Sequence, residues 1–278
     1  LNILEFSLLV WIGSFTAGFL GALTGLGGGV VIVPLLTSVF GVDIRYAVGA
    51  SLVSVIATSL GAASTYIKKG YANLRLGMFL EVATTIGAIV GALIATFVSV
   101  KALTIVLAIV LIYSAYLSQR PRLEKIETEP TDSLANYLQL NSTYPTSEGL
   151  MSYQVHSLPA GFSVMVVAGV LSGLLGIGSG GFKVLAMDQA MRLPFKVSTT
   201  TSNFMIGVTA AASAGVYLAR GYIDPGLSMP VMLGVLPGAF LGARVLLGTK
   251  TQTLRIVFSL VLVIMAVKMV YNNVIGGL

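Results

Sequence analysis

The sequence predicts an all-α polytopic membrane protein made of two inverted-topology repeats, with 8–10 membrane segments in all. Three observations carry this. Charge is scarce: 278 residues hold 16 Lys+Arg and 10 Asp+Glu, 9% charged against 56% hydrophobic, where soluble domains carry about 25% charged residues. Charge-free runs are long: Phe6–Val42, Tyr46–Ile67, Val197–Ala219 and Pro225–Ala243. A helix crosses the ~30 Å hydrocarbon core with about 20 apolar residues. Finally, the chain repeats itself. Displaced by 151 residues, Ala17–Ala92 lies over Ala168–Ala243 without a gap, with 20 identities in the 76 positions. The runs are too continuous for a β-barrel, whose strands alternate with period two.

Each half, read in order, opens with a glycine-interrupted segment and continues with three helices. The first half gives Glu5–Thr24, a break at Gly25–Gly29, Val30–Gly41, then Tyr46–Ile67, Leu76–Val98 and Ala102–Leu117. The second gives Pro159–Leu175, a break at Gly176–Gly181, Phe182–Met191, then Val197–Ala219, Gly226–Leu246 and Thr251–Tyr271. The organisation is therefore repeat 1 over 1–117, a polar linker over 118–158 and repeat 2 over 159–278. Around Tyr137–Leu140 and Ser152–His156 the linker alternates apolar and polar residues, which reads as a small hairpin, with a disordered linker as the alternative.

Phe6–Val42 would be about 55 Å long as one helix, nearly twice the hydrocarbon core. The segment either overshoots or folds back at its glycines. Lys and Arg choose between these. If each interrupted segment crosses once, the basic residues divide 8 to 8. If each folds back, one side holds 11 and the other 4, leaving Lys183 in the membrane. Only the second arrangement obeys the positive-inside rule. A hairpin plus three crossings flips orientation, so the repeats are inverted about an axis in the membrane plane. The expected location is a prokaryotic inner membrane, with the linker cytoplasmic and both termini outside.

Composition excludes several functions. Basic residues are scattered, so no nucleic-acid surface exists. Cys is absent and His156 is the single His, which leaves no metal centre, no catalytic residues and no thiol or Ser-His chemistry. There is no P-loop motif, no cofactor is implied, and the chain reads as a non-enzyme. The first apolar run lacks a basic n-region and is too long for a cleaved signal.

The expected partners are the lipid bilayer and a small anion; a homo-oligomer is left open. Gly27, Gly28 and Gly29, matched by Gly178, Ser179 and Gly180, open short helices. Glycine-rich turns at helix starts present backbone N–H groups to anions. The alternative is a tight turn for close packing. Lys183 replaces Ile32 of the first repeat and stands in the membrane, where a charge is costly unless paired or wet. It is read as an anion ligand, with snorkelling or pairing with Asp188 or Glu81 as the alternatives. The polar run Ser198-Thr199-Thr200-Thr201-Ser202-Asn203 opens the helix after the second hairpin and offers donors to an oxyanion; Ser51, Ser202 and Asn203 are expected to line the same site, with bonding to helix carbonyls or between helices as the alternative. Glu81 and Asp188 are candidates for a coupling proton, although Met232 stands at the position equivalent to Glu81, and Asp188 sits four residues before Arg192. The pairs Gly87/Gly91 and Gly238/Gly242 have small-residue packing spacing.

The pattern resembles the TauE/SafE family of sulfite and organosulfonate exporters. The resemblance rests on Gly18, Gly25, Gly27-Gly28-Gly29 and Pro34-Leu35, then Ala47-Val48-Gly49-Ala50-Ser51, Lys69-Gly70-Tyr71, Gly87-Ala88 and Gly91-Ala92. The second copy supplies Gly169, Gly176-Ile177-Gly178-Ser179-Gly180, Ser202 and Gly242-Ala243. Three positions depart from the pattern: Leu185 stands where a proline like Pro34 is common, Ser179 replaces a glycine and Lys183 an apolar residue. The resemblance implies export of small sulfur-containing anions by alternating access. An anion channel on the same scaffold, or a transporter of another small anion, is the alternative.

Overall fold

The computed structural model describes residues 3–24, 27–119, 132–146 and 149–250, together with residues 252, 253, 256, 257, 259, 260, 263, 264, 266, 267 and 271. The helices are α1 (Ile3–Thr24), α2 (Gly29–Ser38), α3 (Ile44–Lys68), α4 (Leu74–Ala95) and α5 (Val100–Gln119), then a short α6 (Ser133–Tyr137). Strands β1 (Ser142–Thr146) and β2 (Gly149–Tyr153) follow, then α7 (Leu158–Leu175), α8 (Gly180–Leu185), α9 (Phe195–Ala219) and α10 (Pro225–Gly248). A π-helical turn, Ala186–Ala190, prolongs α8. The expected last helix, Thr251–Tyr271, falls partly outside the described residues; those that are described are helical.

Six of these helices, α1, α3, α4, α7, α9 and α10, are long and apolar enough to cross a membrane. Their surfaces have the polarity of a bilayer protein. Along α4 the exposed positions include Met78, Val82, Ile86, Ile89, Val90, Leu93 and Ile94. Its buried positions include Gly77, Ala83, Gly87, Ala88, Gly91 and Ala92. Leu76 and Leu80 apart, large apolar side chains face outward and small ones inward, because lipid gives no hydrophobic reason to bury Ile and close packing favours small residues. The chain is an all-α polytopic membrane protein.

Element bounds recur at the displacement seen in the sequence. Ile44 and Lys68 of α3 correspond to Phe195 and Ala219 of α9, Leu74 of α4 to Pro225 of α10, and Gly29 of α2 to Gly180 of α8. Packing recurs too, crosswise between the halves. α1 lies on α10 and α4 lies on α7. A Cβ on Gly18 would strike Val235 and one on Gly169 would strike Thr84; Gly238 abuts Phe15 as Gly87 abuts Val166. Each contact is its neighbour's counterpart displaced by 151 residues. The glycine pairs of α4 and α10 therefore serve backbone approach. Tyr66 donates to the Ala22 carbonyl at 2.9 Å, and its counterpart Tyr217 to the Gly173 carbonyl at 3.2 Å.

Both interrupted segments fold back. Phe40, just past α2, meets Phe6 near the start of α1, ring centroids 5.2 Å apart. Met191, just past the π turn, accepts a hydrogen bond from His156 N at 3.2 Å, beside the start of α7.

The linker does hold a hairpin, with Ser142 opposite Tyr153 and Thr146 opposite Gly149. The strands are displaced from the expected stretch: Tyr137–Leu140 is instead the end of α6 and a turn. Asp132 explains the shift. One carboxylate oxygen accepts from Leu134 N and caps α6; the other accepts from Leu158 N at the start of α7. Asn73 caps α4 and donates to Leu140 O and the Tyr153 hydroxyl, which fastens the hairpin to the membrane helices. Burial pushes the Tyr153 phenol above its ordinary range.

Candidate functional site

The two glycine breaks meet in the middle of the molecule. Gly25 and Leu26 lie outside the described residues. Gly27 and Gly178 share left-handed backbone, φ 79° and 68°, and so do Gly28 and Ser179, φ 70° and 48°. The breaks thus share a conformation that glycine adopts freely, and Ser179 adopts it against its Cβ. Ser51 Oγ donates to the Gly176 carbonyl at 2.6 Å, so a helix of one half holds the break of the other. Ser202, the counterpart of Ser51, donates to the Gly180 carbonyl at 3.2 Å within its own half. Val55 and Ile206, also counterparts, flank Gly27 and Gly178.

Beside this junction the first turns of α9 carry a polar face. At 100° per residue, Ser198, Thr199, Ser202 and Asn203 fall within an arc of about 140°. All four are fully buried. Asn203 Nδ2 donates to Ala22 O at 3.1 Å and Thr199 O at 3.2 Å. Several polar atoms here have no partner among the described residues: Ser198 Oγ, Thr199 Oγ1, Asn203 Oδ1 and, on the break itself, Ser179 Oγ. Each such group costs roughly 1–3 kcal/mol. A cluster of them within one region suits a polar ligand or water.

The ionisable residues form a second cluster. Lys183 is fully buried, and its ammonium lies 3.5 Å from Glu81 Oε2 and bonds to the Thr209 hydroxyl. Thr209 in turn bonds to Glu81 Oε1, and Thr85 donates to the same oxygen at 3.4 Å. Pairing with Glu81, one of the alternatives for Lys183, is what the structure adopts. The cluster joins α8, α4 and α9. Thr209 stands one helical turn from Ile206, and hence from the breaks. Asp188 lies in the π turn, where Gln189 donates to it at 2.8 Å. Among the described residues no group of His, Cys, Asp or Glu could hold a metal ion.

The structure brings together Gly27, Gly29, Gly178, Gly180, Ser51 and Ser202. It engages the Ser51 hydroxyl in holding a break. It gives prominence to Ser198 and Thr199, which the polar run Ser198–Asn203 already offers as possible donors but which the sequence does not single out as it does Ser202 and Asn203. It also adds Thr209, whose identity with Thr58 across the repeat was visible.

Comparison with known proteins gives a consistent picture. The family profile described as "Sulfite exporter TauE/SafE" matches residues 10–269. The probable membrane transporter protein YunE of Bacillus subtilis is 26% identical over 98% of this chain and 99% of its own length. The probable membrane transporter protein YdhB of the same organism is 26% identical over 85% of this chain and 89% of its own. The probable membrane transporter protein MJ0441 of Methanocaldococcus jannaschii is 24% identical over 94% of each. No solved structure matches.

Proposed function

The chain belongs to the TauE/SafE family of multi-pass membrane transporters, and on that premise we propose that it exports small sulfur-containing anions such as sulfite or organosulfonates across the inner membrane. The anion is held at the junction of the two breaks. The hydroxyls of Ser179, Ser198 and Thr199 are its polar partners, the N–H groups of Gly178–Gly180 at the second break contribute, and Lys183 supplies the positive charge nearby; Gly27 N, Gly29 N and the Asn203 amide nitrogen already donate to protein carbonyls. The observation that carries this reading is the set of buried hydroxyls without a partner among the described residues beside the paired breaks. A hydroxyl can donate to an oxyanion wherever the protein offers it no acceptor. The two repeats are read as inverted in the membrane, with the linker cytoplasmic and both termini outside. Rocking of one repeat against the other alternates access.

The test is flux from proteoliposomes loaded with sulfite, ethanesulfonate, acetate or phosphate. Saturable efflux of the sulfur anions, weakened at least tenfold in Thr199→Val/Ser198→Ala, is the expected result. Equal flux of all four anions, or flux that never saturates, counts against the reading; the second would favour a channel.

A further inference from the structure

We propose that Glu81 and Lys183 form a proton-linked charge switch: protonation of Glu81 frees the Lys183 ammonium, which then becomes the counter-charge of the transported anion at the break junction. The inference rests on the anion-transport reading above and names how that site is regulated.

Charge accounting carries the argument. In the structure the cluster is neutral, one carboxylate against one ammonium 3.5 Å away. An anion added to this state would leave one negative charge uncompensated inside the membrane protein, which costs several kcal/mol. If a proton first binds a carboxylate oxygen of Glu81, the ion pair is lost and Lys183 stands alone, which is equally costly. Proton and monovalent anion together restore neutrality: Glu81 is a neutral acid, and Lys183 is the counter-charge of the anion. No bond other than the new O–H is formed. The two ligands therefore bind cooperatively, one proton per monovalent anion.

The surroundings leave these two groups to settle the charge between themselves. α7, packed along α4, carries no ionisable side chain. α9 brings the neutral Thr209 to both. Its ionisable residues lie elsewhere: Lys196, about 20 Å along the helix by residue spacing, donates to Leu247 O, and Tyr217 bonds to Gly173 O. On the α8 arm the next charge is Asp188, with Gln189 on its carboxylate, and on α5, which packs on α8, the ionisable Lys101, Tyr113 and Tyr116 are all exposed. Thr84 and Thr85 are the neutral neighbours on α4 itself.

The geometry also gives the two partners different access. Lys183 is sealed, whereas Glu81, itself buried, borders a groove of about 420 Å³ on the lipid-facing side of α4, lined by Met78, Val82, Ile86, Phe204 and Val208 with Thr85 as its other polar member. Lys183 extends from the arm that begins at Gly180, one residue past Ser179. A change of partner by Lys183 is therefore mechanically tied to the second break, and Glu81 to the α4–α7 contact between the halves.

The experiment is calorimetric titration of the purified protein with ethanesulfonate, an anion that does not itself titrate near neutral pH, in two buffers of different ionisation enthalpy. The expected result is uptake of one proton per anion bound, and affinity that falls as pH rises, up to tenfold per unit. Glu81→Gln should bind with no proton uptake and no pH dependence, at least as tightly as the wild type. The charge-neutral double variant Glu81→Gln/Lys183→Met guards against a folding defect from a lone charge. It should bind at least tenfold more weakly than the wild type, again without proton uptake. Proton uptake that persists in either variant, or wild-type binding without any uptake, overturns the switch while leaving anion transport standing. Absence of binding by the wild type to both ethanesulfonate and sulfite at every pH overturns the transport reading and the switch with it.

Discussion

Replacing Gly29 by alanine tests whether the two breaks must touch. Gly29 is the first residue of α2, a position where alanine is acceptable to the backbone, so any damage is steric. A Cβ there would lie 2.7 Å from Ser51 Oγ, 2.8 Å from Val55 Cγ2 and 3.0 Å from the Gly176 carbonyl oxygen. All three are well inside ordinary contact, and the third belongs to the other half. Overpacking of this kind costs about 1–3 kcal/mol. Ser51 must also swing away from Gly176, losing a hydrogen bond worth about 0.5–1.5 kcal/mol. The two effects make roughly 2–4 kcal/mol, or a fall of roughly 3–7 °C in melting midpoint for a chain of this size. The assay is thermal unfolding of the detergent-solubilised protein at one fixed scan rate, with transport measured in parallel. Gly215→Ala is the control: a Cβ there meets nothing within 4 Å, and alanine in mid-helix is favoured by roughly 0.5–1 kcal/mol, so its midpoint should hold or rise. Adding Ser51→Ala to Gly29→Ala removes the nearest clash, so the double variant should be about 1 kcal/mol less damaged than the sum of the two singles. A wild-type midpoint and wild-type transport for Gly29→Ala would refute the reasoning.

Other expectations are simpler. Tyr66→Phe and Tyr217→Phe each remove one hydroxyl-to-carbonyl bond across a helix contact; each should cost about 1 kcal/mol in the same melt, and the two should add, since they share no partner. Asn73→Ala removes the cap of α4 and both ties to the linker hairpin. It should cost about 1 kcal/mol and speed amide exchange across 140–155, while α10, capped separately by Asp224, stays unchanged in the same exchange experiment.

Much of the fold could be read from residues because bilayer constraints are severe. A 37-residue charge-free run cannot be one straight span, and the glycines mark where it bends. Phe6 beside Phe40, and His156 beside Met191, realise that bend. What the sequence leaves open is side-chain partnership at long range. Glu81 and Lys183 are 102 residues apart, and nothing in the spacing distinguishes Glu81 from Asp188 as the partner of Lys183. The linker shows the same limit on a smaller scale. Its alternating pattern marks strands, but the helical turn before them depends on Asp132 capping two helices at once, a tertiary fact. Ser51 was legible as a repeated polar residue, yet its task of holding the opposite break depends on the meeting of the halves.

The repeat does contain a clue to the ion pair. Lys183 stands where the first half has Ile32, and Glu81 where the second half has Met232. Both charges are departures from the repeat, one in each half, and a departure that introduces a charge inside the membrane needs an opposite charge to tolerate it. The threonine between them is no departure: Thr58 and Thr209 correspond, and each bonds back to the carbonyl four residues earlier. The common scaffold thus keeps a threonine one turn beyond Val55 and beyond Ile206, and only the copy at Thr209 has acquired charges around it. Two equivalent halves exchanging roles would give two access states of equal energy. A neutral pair bridging the halves at Glu81 and Lys183, with apolar Ile32 and Met232 at the corresponding positions, makes those states unequal, and on the proposed switch the inequality changes with the protonation of Glu81. Directionality would then reside in the few positions where the repeats differ, and the mechanics in the many where they agree.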